Sequence, residues 1–346
     1  MKTFPADDLR ALGEELFVAC GVPEEEAAIV ANELVEASLM GLESHGVTRY
    51  IWYTEEVLNG HLKPGAPIRV IKETPTMAIV DCGYNFGPVG ATRMVEIVCD
   101  KAWQSGIAFV VSQHCHHIGR LGAYVQKAAE QGLFCLATAN SSKHGHFVVP
   151  WGGREGRLAT NPLAYGVPTG GRPIVMDMST SMISEGKIRV LMHEGKPVPE
   201  GRILDGYGDP TTDPKAFYEL PRGTILPFGG KLGYKGFGLG LLVEILSSTM
   251  AGEAITDDYR YINGLALIAL DPEPLCGAER FRHLVDALTT YITTTPPAPG
   301  HDEVIMPGEL DFRMREQRLR EGIPLPDETW RQIVETAKRV GVHVWL

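Results

Sequence analysis

The sequence predicts an α/β fold with a central part of alternating strands and helices and with helices at both ends. Apolar runs of strand length alternate with stretches of helical periodicity through the middle of the chain, a pattern typical of an α/β core. Both ends show helical periodicity instead. Each terminal segment is too short to bury its apolar face alone. We therefore expect the two ends to pack against each other.

The central strands and helices are predicted from apolar runs bounded by Gly, Pro and polar residues. The predicted strands span residues 76–83, 107–113, 133–141, 173–179 and 263–272, and the predicted helices span residues 89–106 and 120–132. Residues 293–303, TTTPPAPGHDE, are rich in Thr and Pro. This composition predicts a linker or a surface loop.

The ends are predicted from helix start and stop signals. Two helices are expected over residues 6–20 and 23–40, and Gly21 separates them. A last helix begins at Pro326 and is closed by Gly341, since Pro is tolerated at a helix start and Gly is favoured just after a helix end.

Composition excludes several classes of function. The net charge of -11 opposes binding to nucleic acid, because an acidic surface repels phosphates. The first residues lack the pattern of a signal peptide, and no window approaches the uninterrupted apolar run of about 18 residues that a membrane helix needs. The six cysteines are scattered without a CxxC pair. We therefore expect reduced thiols in a cytoplasmic protein with no membrane partner.

The segment SQHCHHIGRLGAY, residues 112–124, concentrates three histidines. His114, His116 and His117 are candidate metal ligands, but no cluster of acidic residues or cysteines has metal-ligand spacing. A polar strand end without chemistry is the second interpretation. The third is a proton-transfer histidine at His117, which follows a predicted strand, where ligands dock in α/β proteins. We favour the third, because an imidazole titrates near neutrality, and we expect no metal.

The segment GLESHGVTRYIWY, residues 41–53, crowds polar side chains at a helix exit. It is interpretable as a capping turn, but Arg49 could also pair with a carboxylate. A Ser/His hydrolase is excluded, because Ser44 and His45 are adjacent in sequence and the chain has no GxSxG motif.

A dinucleotide-binding GxGxxG motif is absent from the sequence. The nearest segment, residues 232–252, has Gly236, Gly238 and Gly240 in a GxGxG arrangement after a loop and not after an apolar strand. Two alternatives remain. The glycines permit close packing at a helix start, or the exposed amides there attract an anion, with Lys235 adding positive charge.

Two further segments are less specific. Residues 151–168, WGGREGRLATNPLAYGVP, predict a tight turn into a strand. Upstream of them, Lys143 is either a solvated lysine or a cofactor contact.

Together these segments resemble the malate/L-lactate dehydrogenase family 2. The resemblance covers residues 40–340 or so, and it rests on SHGVTRY, HHIGRLGAY, PWGGREGRLATNPLAYGVP, VMDMSTS, GYKGFGLGLLVEIL and MPGELDFR in this order. The family also includes sulfolactate and ureidoglycolate dehydrogenases, diketogulonate reductase and cyclic imino-acid reductases. Residues 186–214 look most like the branch of broad hydroxycarboxylate dehydrogenases.

The resemblance implies a non-Rossmann, sulfolactate-dehydrogenase-like α/β fold with a helical domain built from both termini. It implies a helical dimerisation and substrate domain from residues 1–60 and 285–346. A small α/β segment would span residues 61–116, and an NAD(P)-binding α/β domain would span residues 117–284. Members of this family are homodimers with the site near the subunit contact.

The resemblance also implies roles for individual residues. His117 would be the general acid/base, and Ser44, Arg49 and Tyr53 would face the substrate, with Arg49 on its carboxylate. NAD or NADP would be held by His45, Gly119, Arg120, Leu121, Lys143, Val175, Met176, Asp177, Met178, Ser179, Tyr234, Lys235, Asn263, Gly308, Glu309, Leu310 and Asp311. Tyr234 is a histidine in some members.

The sequence therefore predicts an NAD(P)-dependent oxidoreductase that interconverts a 2-hydroxycarboxylic acid and its 2-oxo acid, of the malate, lactate or aryl-lactate type. The alternative is an NADPH-dependent reductase of cyclic imino acids such as piperideine- or pyrroline-2-carboxylate. A non-catalytic or metal-binding protein is the rival from another class. The substrate and the choice between NAD and NADP stay open.

Overall fold

A computed structural model describes residues 2–253 and 261–345. The helices among these residues are α1 (Ala6–Ala19), α2 (Glu24–Leu39), α3 (Arg49–Leu58), α4 (Gly87–Ser105), α5 (Gly122–Glu130), α6 (Glu185–His193), α7 (Pro214–Tyr218), α8 (Gly233–Ser247), α9 (Glu273–Cys276), α10 (Ala278–Thr293), α11 (Glu309–Glu321) and α12 (Asp327–Arg339). Short 3₁₀ turns lie at Glu43–His45, Lys143–Gly145, Gly230–Leu232 and Thr249–Ala251.

The strands form one large sheet and three small ones. They are β1 (Lys2–Phe4), β2 (Arg69–Glu73), β3 (Met77–Asp81), β4 (Ile107–Gln113), β5 (Cys115–His116), β6 (Phe134–Ala139), β7 (Leu163–Val167), β8 (Ile174–Met178), β9 (Ile203–Leu204), β10 (Pro210–Thr211), β11 (Thr224–Ile225), β12 (Ile262–Asn263), β13 (Leu265–Leu270) and β14 (Ile323–Leu325).

The large sheet has seven strands in the order β2-β3-β4-β13-β6-β7-β8. Strands β3 and β4 are parallel and are connected by α4, whereas every other neighbouring pair is antiparallel. The predicted α/β class is confirmed. The sheet is mixed because the helical crossover through α4 allows β3 and β4 to pair in parallel, whereas β13 lies antiparallel between β4 and β6.

Strand β13 lies at the centre of this sheet and separates two packed layers. Leu265 and Leu267 belong to the cluster that includes the buried faces of α4 and α5. Ala266 belongs to a second cluster with Leu246 of α8. The alternation of strand side chains thus places α4 and α5 on one face and α8 on the other.

A buried carboxylate ties α8 to the sheet. The Glu244 side chain is 8% exposed and accepts hydrogen bonds from the side-chain amides of Asn140 at 2.8 Å and Asn161 at 2.9 Å. A buried charge requires such partners. The contact therefore fixes the helix that covers this face of the sheet.

The predicted packing of the two ends is confirmed. Strand β1 pairs antiparallel with β14, with Phe4 opposite Ile323, and the Phe4 and Trp330 rings lie 4.2 Å apart. Buried residues of α1, α2, α3 and α12 form one cluster. Helix α3, which carries Arg49 and Tyr53, is therefore part of this terminal helical layer.

Most predicted elements match the structure to within a few residues. Helix α4 begins at Gly87 instead of residue 89, because Pro88 is tolerated in a first turn. The strand predicted over residues 263–272 is split at Gly264 into β12 and β13. A Cβ atom at Gly264 would lie 2.2 Å from the Ser247 carbonyl oxygen, so the close approach of α8 requires glycine there.

The remaining predictions concern longer segments. Residues 294–308 contain no helix or strand, which confirms the predicted loop around residues 293–303. The division into three units stays a prediction. The large sheet takes strands from both sides of the proposed boundary between residues 116 and 117.

In the part of the chain that the structure describes, no helix combines the length and the apolar character needed to span a bilayer.

Candidate active site

His117 lies in the segment between β5 and α5, which is anchored on one side by β12. In this short pair, His116 is opposite Ile262 and Cys115 is opposite Asn263. The Asn263 side chain accepts a hydrogen bond from the Ile118 amide at 3.1 Å and donates one to the Asn140 carbonyl at 2.7 Å. The backbone on either side of His117 is therefore fixed.

Helix α3 presents one face to His117. Arg49, Trp52, Tyr53 and Glu56 follow helical spacing and share this face. The Tyr53 hydroxyl oxygen lies 2.7 Å from His117 Nδ1 and 3.1 Å from the His117 carbonyl oxygen. Tyr53 is fully buried, so this hydroxyl joins the terminal helical layer to the segment after β5.

The two contacts of the Tyr53 hydroxyl suit two states of His117. When Nδ1 carries a proton, it donates to the hydroxyl oxygen, and the hydroxyl donates to the His117 carbonyl. When Nδ1 is unprotonated, it accepts from the hydroxyl and from the Gly119 amide, which lies 3.3 Å away. When the neutral ring carries its proton on Nδ1, Nε2 has a free lone pair that can accept a proton.

The surroundings of His117 favour its neutral form. Burial holds its pKa well below the usual value, and the positive charge of Arg49 and the neighbouring His45 and His116 lower it further. Burial also raises the pKa of the Tyr53 phenol, which stays protonated. Nε2 has no hydrogen-bond partner among residues 2–253 and 261–345, so it is available to a ligand.

Ser44 and His45 lie in the 3₁₀ turn just before α3. The His45 ring is stacked on His117 with 5.6 Å between ring centroids and 17° between planes, and Ser44 Oγ lies 2.9 Å from His45 Nδ1. Burial and the charges of Arg49 and Arg120 lower the pKa of His45 to about 4. His45 is therefore neutral near pH 7.

Arg49 is held by its Nε and by an aromatic face. Nε donates to the Ser44 carbonyl at 2.6 Å, and the guanidinium carbon lies 4.9 Å from the centre of the Trp52 ring. Within the described ranges, its terminal nitrogens have no hydrogen-bond partner. They are free to bind a carboxylate with two hydrogen bonds.

Two aromatic residues that sequence reasoning missed complete the cluster. The Trp52 ring lies 5.3 Å from the His117 ring and 5.4 Å from the Tyr261 ring, and Tyr261 lies 5.8 Å from His117. Trp52 could have been found from its helical spacing to Arg49. Tyr261 had no local signal, because only the β5–β12 pairing brings it near His117.

The His116 ring also borders this cluster, 5.4 Å from the Trp52 ring, and its Nε2 approaches a carboxylate. Its Nε2 lies 3.2 Å from Glu56 Oε2, and His61 Nδ1 lies 3.3 Å from the same oxygen. Burial lowers the pKa of His116, and Glu56 opposes this effect. No group of three potential metal-ligating side chains occurs among the described residues.

A second cluster gathers residues assigned to the cofactor. Asp177 at the end of β8 accepts a hydrogen bond from the Gly122 amide at 2.7 Å. Arg120 donates to Gln126 at 3.0 Å, and its Nε is buried without a partner among the described residues. Burial raises the pKa of Asp311, and the positive charge of Arg120 opposes this effect.

The segment 308–311 packs closely against the backbone of β8 beside this cluster. Gly308 has a φ of +82°, and a Cβ atom there would lie 2.3 Å from the Val175 carbonyl oxygen. Only glycine fits both conditions. The predicted residues Gly119, Leu121, Met176, Met178, Ser179, Glu309 and Leu310 lie on these same segments.

Three other predicted cofactor residues lie on other segments of the chain. Tyr234 and Lys235 lie in the first turn of α8, where the Tyr234 ring is 6.2 Å from Trp151. Lys143 lies in a 3₁₀ turn and lines a cleft with Arg154, among others. The cofactor roles of these residues stay predictions.

Comparison with known proteins identifies the relatives of this chain. Residues 4–334 match a family model described as malate/L-lactate dehydrogenase. Malate dehydrogenase of Pyrococcus horikoshii is 34% identical over 352 residues, which cover 98% of this chain and 96% of that protein. Hydroxycarboxylate dehydrogenase B of Escherichia coli is 32% identical and covers 98% of this chain and 94% of its own length.

A solved structure gives the same result. Sulfolactate dehydrogenase from Methanocaldococcus jannaschii superposes with a TM-score of 0.89 at 31% identity. The match covers 99% of this chain and 98% of that one. The predicted family resemblance and fold are confirmed.

The low pKa of His45 predicts a loss of stability in acid. The unfolded chain binds a proton at this residue near pH 6.5, whereas the folded chain binds it only near pH 4. The unfolded state therefore holds more protons in between, and stability falls as the pH falls through this window. We expect thermal unfolding from pH 7 to pH 4.5 to show a smaller acid-induced drop in Tm for His45→Gln than for wild type.

The control is His301→Gln, in the exposed loop before α11, which should keep the wild-type drop. An equal drop in wild type and His45→Gln would contradict the assignment.

Proposed function

Because the chain belongs to the malate/L-lactate dehydrogenase family and is therefore an oxidoreductase of 2-hydroxy acids, we propose that His117 and Arg49 are its catalytic and substrate-binding pair. The observation that carries this proposal is that two groups without a hydrogen-bond partner among the described residues meet in one aromatic cluster. These are Nε2 of the buried His117 and the terminal nitrogens of Arg49, whose charge acts on that imidazole. A 2-hydroxy acid presents a carboxylate and an adjacent hydroxyl at complementary positions.

Arg49 binds the carboxylate and so fixes the second carbon next to His117. In oxidation, His117 Nε2 accepts the hydroxyl proton as the hydride leaves that carbon. In reduction, the imidazolium returns the proton to the carbonyl oxygen as hydride arrives. A bound nicotinamide supplies the hydride acceptor in the first direction and the donor in the second.

The second cluster fits a dinucleotide. The family implies a nicotinamide cofactor, and we propose NAD or NADP bound along Arg120, Asp177 and the segment 308–311. The buried Nε of Arg120 has no partner in the part of the chain that the structure describes. This supports the proposal, since a buried cationic group requires an anion or an acceptor. A pyrophosphate oxygen would satisfy the nitrogen, and a carboxylate such as Asp311 would accept from a ribose hydroxyl.

Tyr53 acts on the reaction through His117. By accepting from Nδ1–H and donating to the His117 carbonyl, its hydroxyl stabilises the tautomer that leaves Nε2 unprotonated. It also stabilises the imidazolium formed in oxidation. We therefore assign Tyr53 as a positioning residue.

We also propose a homodimer that buries the outer face of α8. Its inner face packs on the sheet, yet Leu239, Leu241, Leu242 and Ile245 on the other side are between 37% and 48% exposed. A helix that is apolar on all sides is normally covered. A second copy of the chain would cover this face of α8.

All six cysteines are free, which supports the proposed cytoplasmic location.

His117→Ala should abolish turnover and leave cofactor binding intact. Loss of the general acid/base is expected to lower kcat by roughly 10³-fold, measured as oxidation of NADH and NADPH with pyruvate, oxaloacetate, phenylpyruvate and a cyclic imine. Fluorescence titration should show cofactor affinity near that of wild type. His283→Ala, on the surface of α10, is the control. Near-full activity of His117→Ala would refute the assignment, and turnover of the imine alone would favour the imino-acid reductase.

Tyr53→Phe should lower kcat by about 100-fold, because the unproductive tautomer of His117 then dominates. Without its acceptor, the protonated Nδ1 is destabilised, so the pKa of His117 falls further. The acid limb of kcat/KM for hydroxy-acid oxidation should therefore move to lower pH. The matched control is Tyr50→Phe, which removes a buried hydroxyl of the same helix that donates to the Leu9 carbonyl at 2.8 Å. A pH profile unchanged in Tyr53→Phe would reject this role.

Ile245→Glu should convert the dimer into monomers, because it places a charge on the apolar face of α8. Light scattering after gel filtration should give the 37.8 kDa mass of one chain for the variant and twice that mass for wild type. Val190→Glu, at another exposed apolar position, should stay dimeric. A monomeric wild type would rule the dimer out.

A further inference from the structure

We propose that Trp52 and Tyr261 form the wall of the subsite that receives the substituent on the third carbon of the substrate, and that this wall selects a planar, uncharged substituent over a second carboxylate or a sulfonate. The inference rests on the proposed function and extends it to a substrate class, aryl-substituted 2-hydroxy and 2-oxo acids. We call this pair of rings the aromatic wall.

The position of the aromatic wall follows from its contacts with both substrate-binding groups. The Trp52 ring lies 5.3 Å from the His117 ring at an angle of 75° and carries the Arg49 guanidinium at 4.9 Å. Arg49 fixes the first carbon of the substrate, and His117 fixes the oxygen on the second carbon. A substrate bound between them therefore lies next to Trp52.

Tyr261 extends this surface on the other side of His117. Its ring meets Trp52 edge-on, with 5.4 Å between centroids and 86° between planes, and lies 5.8 Å from His117. Both residues are partly exposed, unlike the fully buried Tyr53. The wall thus borders a space that a ligand can enter.

Desolvation at the wall opposes a second short acidic group on the substrate. The proposed function uses Arg49 for the first carboxylate, and the other groups that lower the pKa of His117 are histidines. The turn that contains Lys143 lies beyond the hydroxyl of Tyr261, since a Cβ on Gly145 would be 3.7 Å from that oxygen. A carboxylate or sulfonate on the third carbon would instead be desolvated against the two rings.

A planar apolar substituent binds favourably to the same two rings. Aromatic rings prefer offset or edge-to-face packing, which adds to the benefit of burying their area. Trp52 and Tyr261 are nearly perpendicular, so they offer a face and an edge to an aryl ring. The wall therefore favours an aryl substituent over the methyl group of pyruvate as well.

The test compares kcat/KM for phenylpyruvate, pyruvate and oxaloacetate at saturating cofactor. Wild type should prefer phenylpyruvate over oxaloacetate by at least about tenfold. Trp52→Leu and Tyr261→Ala should each lower the phenylpyruvate-to-pyruvate ratio about tenfold, whereas Tyr261→Phe keeps the ring and should keep the ratio. Trp103→Leu, at an exposed position on α4, is the matched control and should also keep it.

The outcomes separate the two proposals. A wild-type preference for oxaloacetate, or ratios that Trp52→Leu and Tyr261→Ala leave unchanged, would overturn the aromatic wall while the dehydrogenase assignment stands. Failure of wild type to reduce any 2-oxo acid would overturn the proposed function itself. If Trp52→Leu does not fold, Tyr261→Ala gives the same readout from the other ring.

Discussion

The hydrogen bond between the Tyr53 hydroxyl and His117 Nδ1 is the contact on which the site depends. It joins α3 of the terminal helical layer to the segment after β5, at 2.7 Å and without solvent access. The layer exists because neither end of the chain can bury its apolar face alone, and the β1–β14 pair closes it. Packing of the termini thereby sets the state of the imidazole that we propose as the general acid/base.

The electrostatics follow from this burial. His117 and His45 are held neutral by desolvation and by the cation at Arg49. A carboxylate bound to Arg49 would cancel part of that charge, which makes the imidazolium easier to form once substrate is in place. In the proposed mechanism, substrate binding and proton transfer are therefore linked through one guanidinium. Trp52 contacts both groups, since its ring lies 5.3 Å from the His117 ring and 4.9 Å from the Arg49 guanidinium carbon.

The candidate dinucleotide site does not use a glycine-rich turn. This chain lacks a GxGxxG motif, and the glycines of α8 serve packing: a Cβ at Gly236 would lie 2.0 Å from the Phe228 carbonyl oxygen, and one at Gly240 would lie 3.1 Å from Thr180 Oγ1. Gly236 and Gly240 are buried, where they permit close packing. The candidate dinucleotide site is assembled instead from the start of α5, the end of β8 and the start of α11. Three separate segments thus replace one contiguous motif.

The sequence by itself determined the α/β class and most element boundaries, because periodicity is a local property. Its resemblance to the family named His117, Arg49 and Tyr53 as candidates. Only the tertiary structure decided which atom of His117 is free, since that depends on a hydroxyl 64 positions away. It also added Trp52 and Tyr261. Tyr261 reaches the site only through the pairing of β12 with β5, and no local pattern encodes a contact between segments so far apart in the chain.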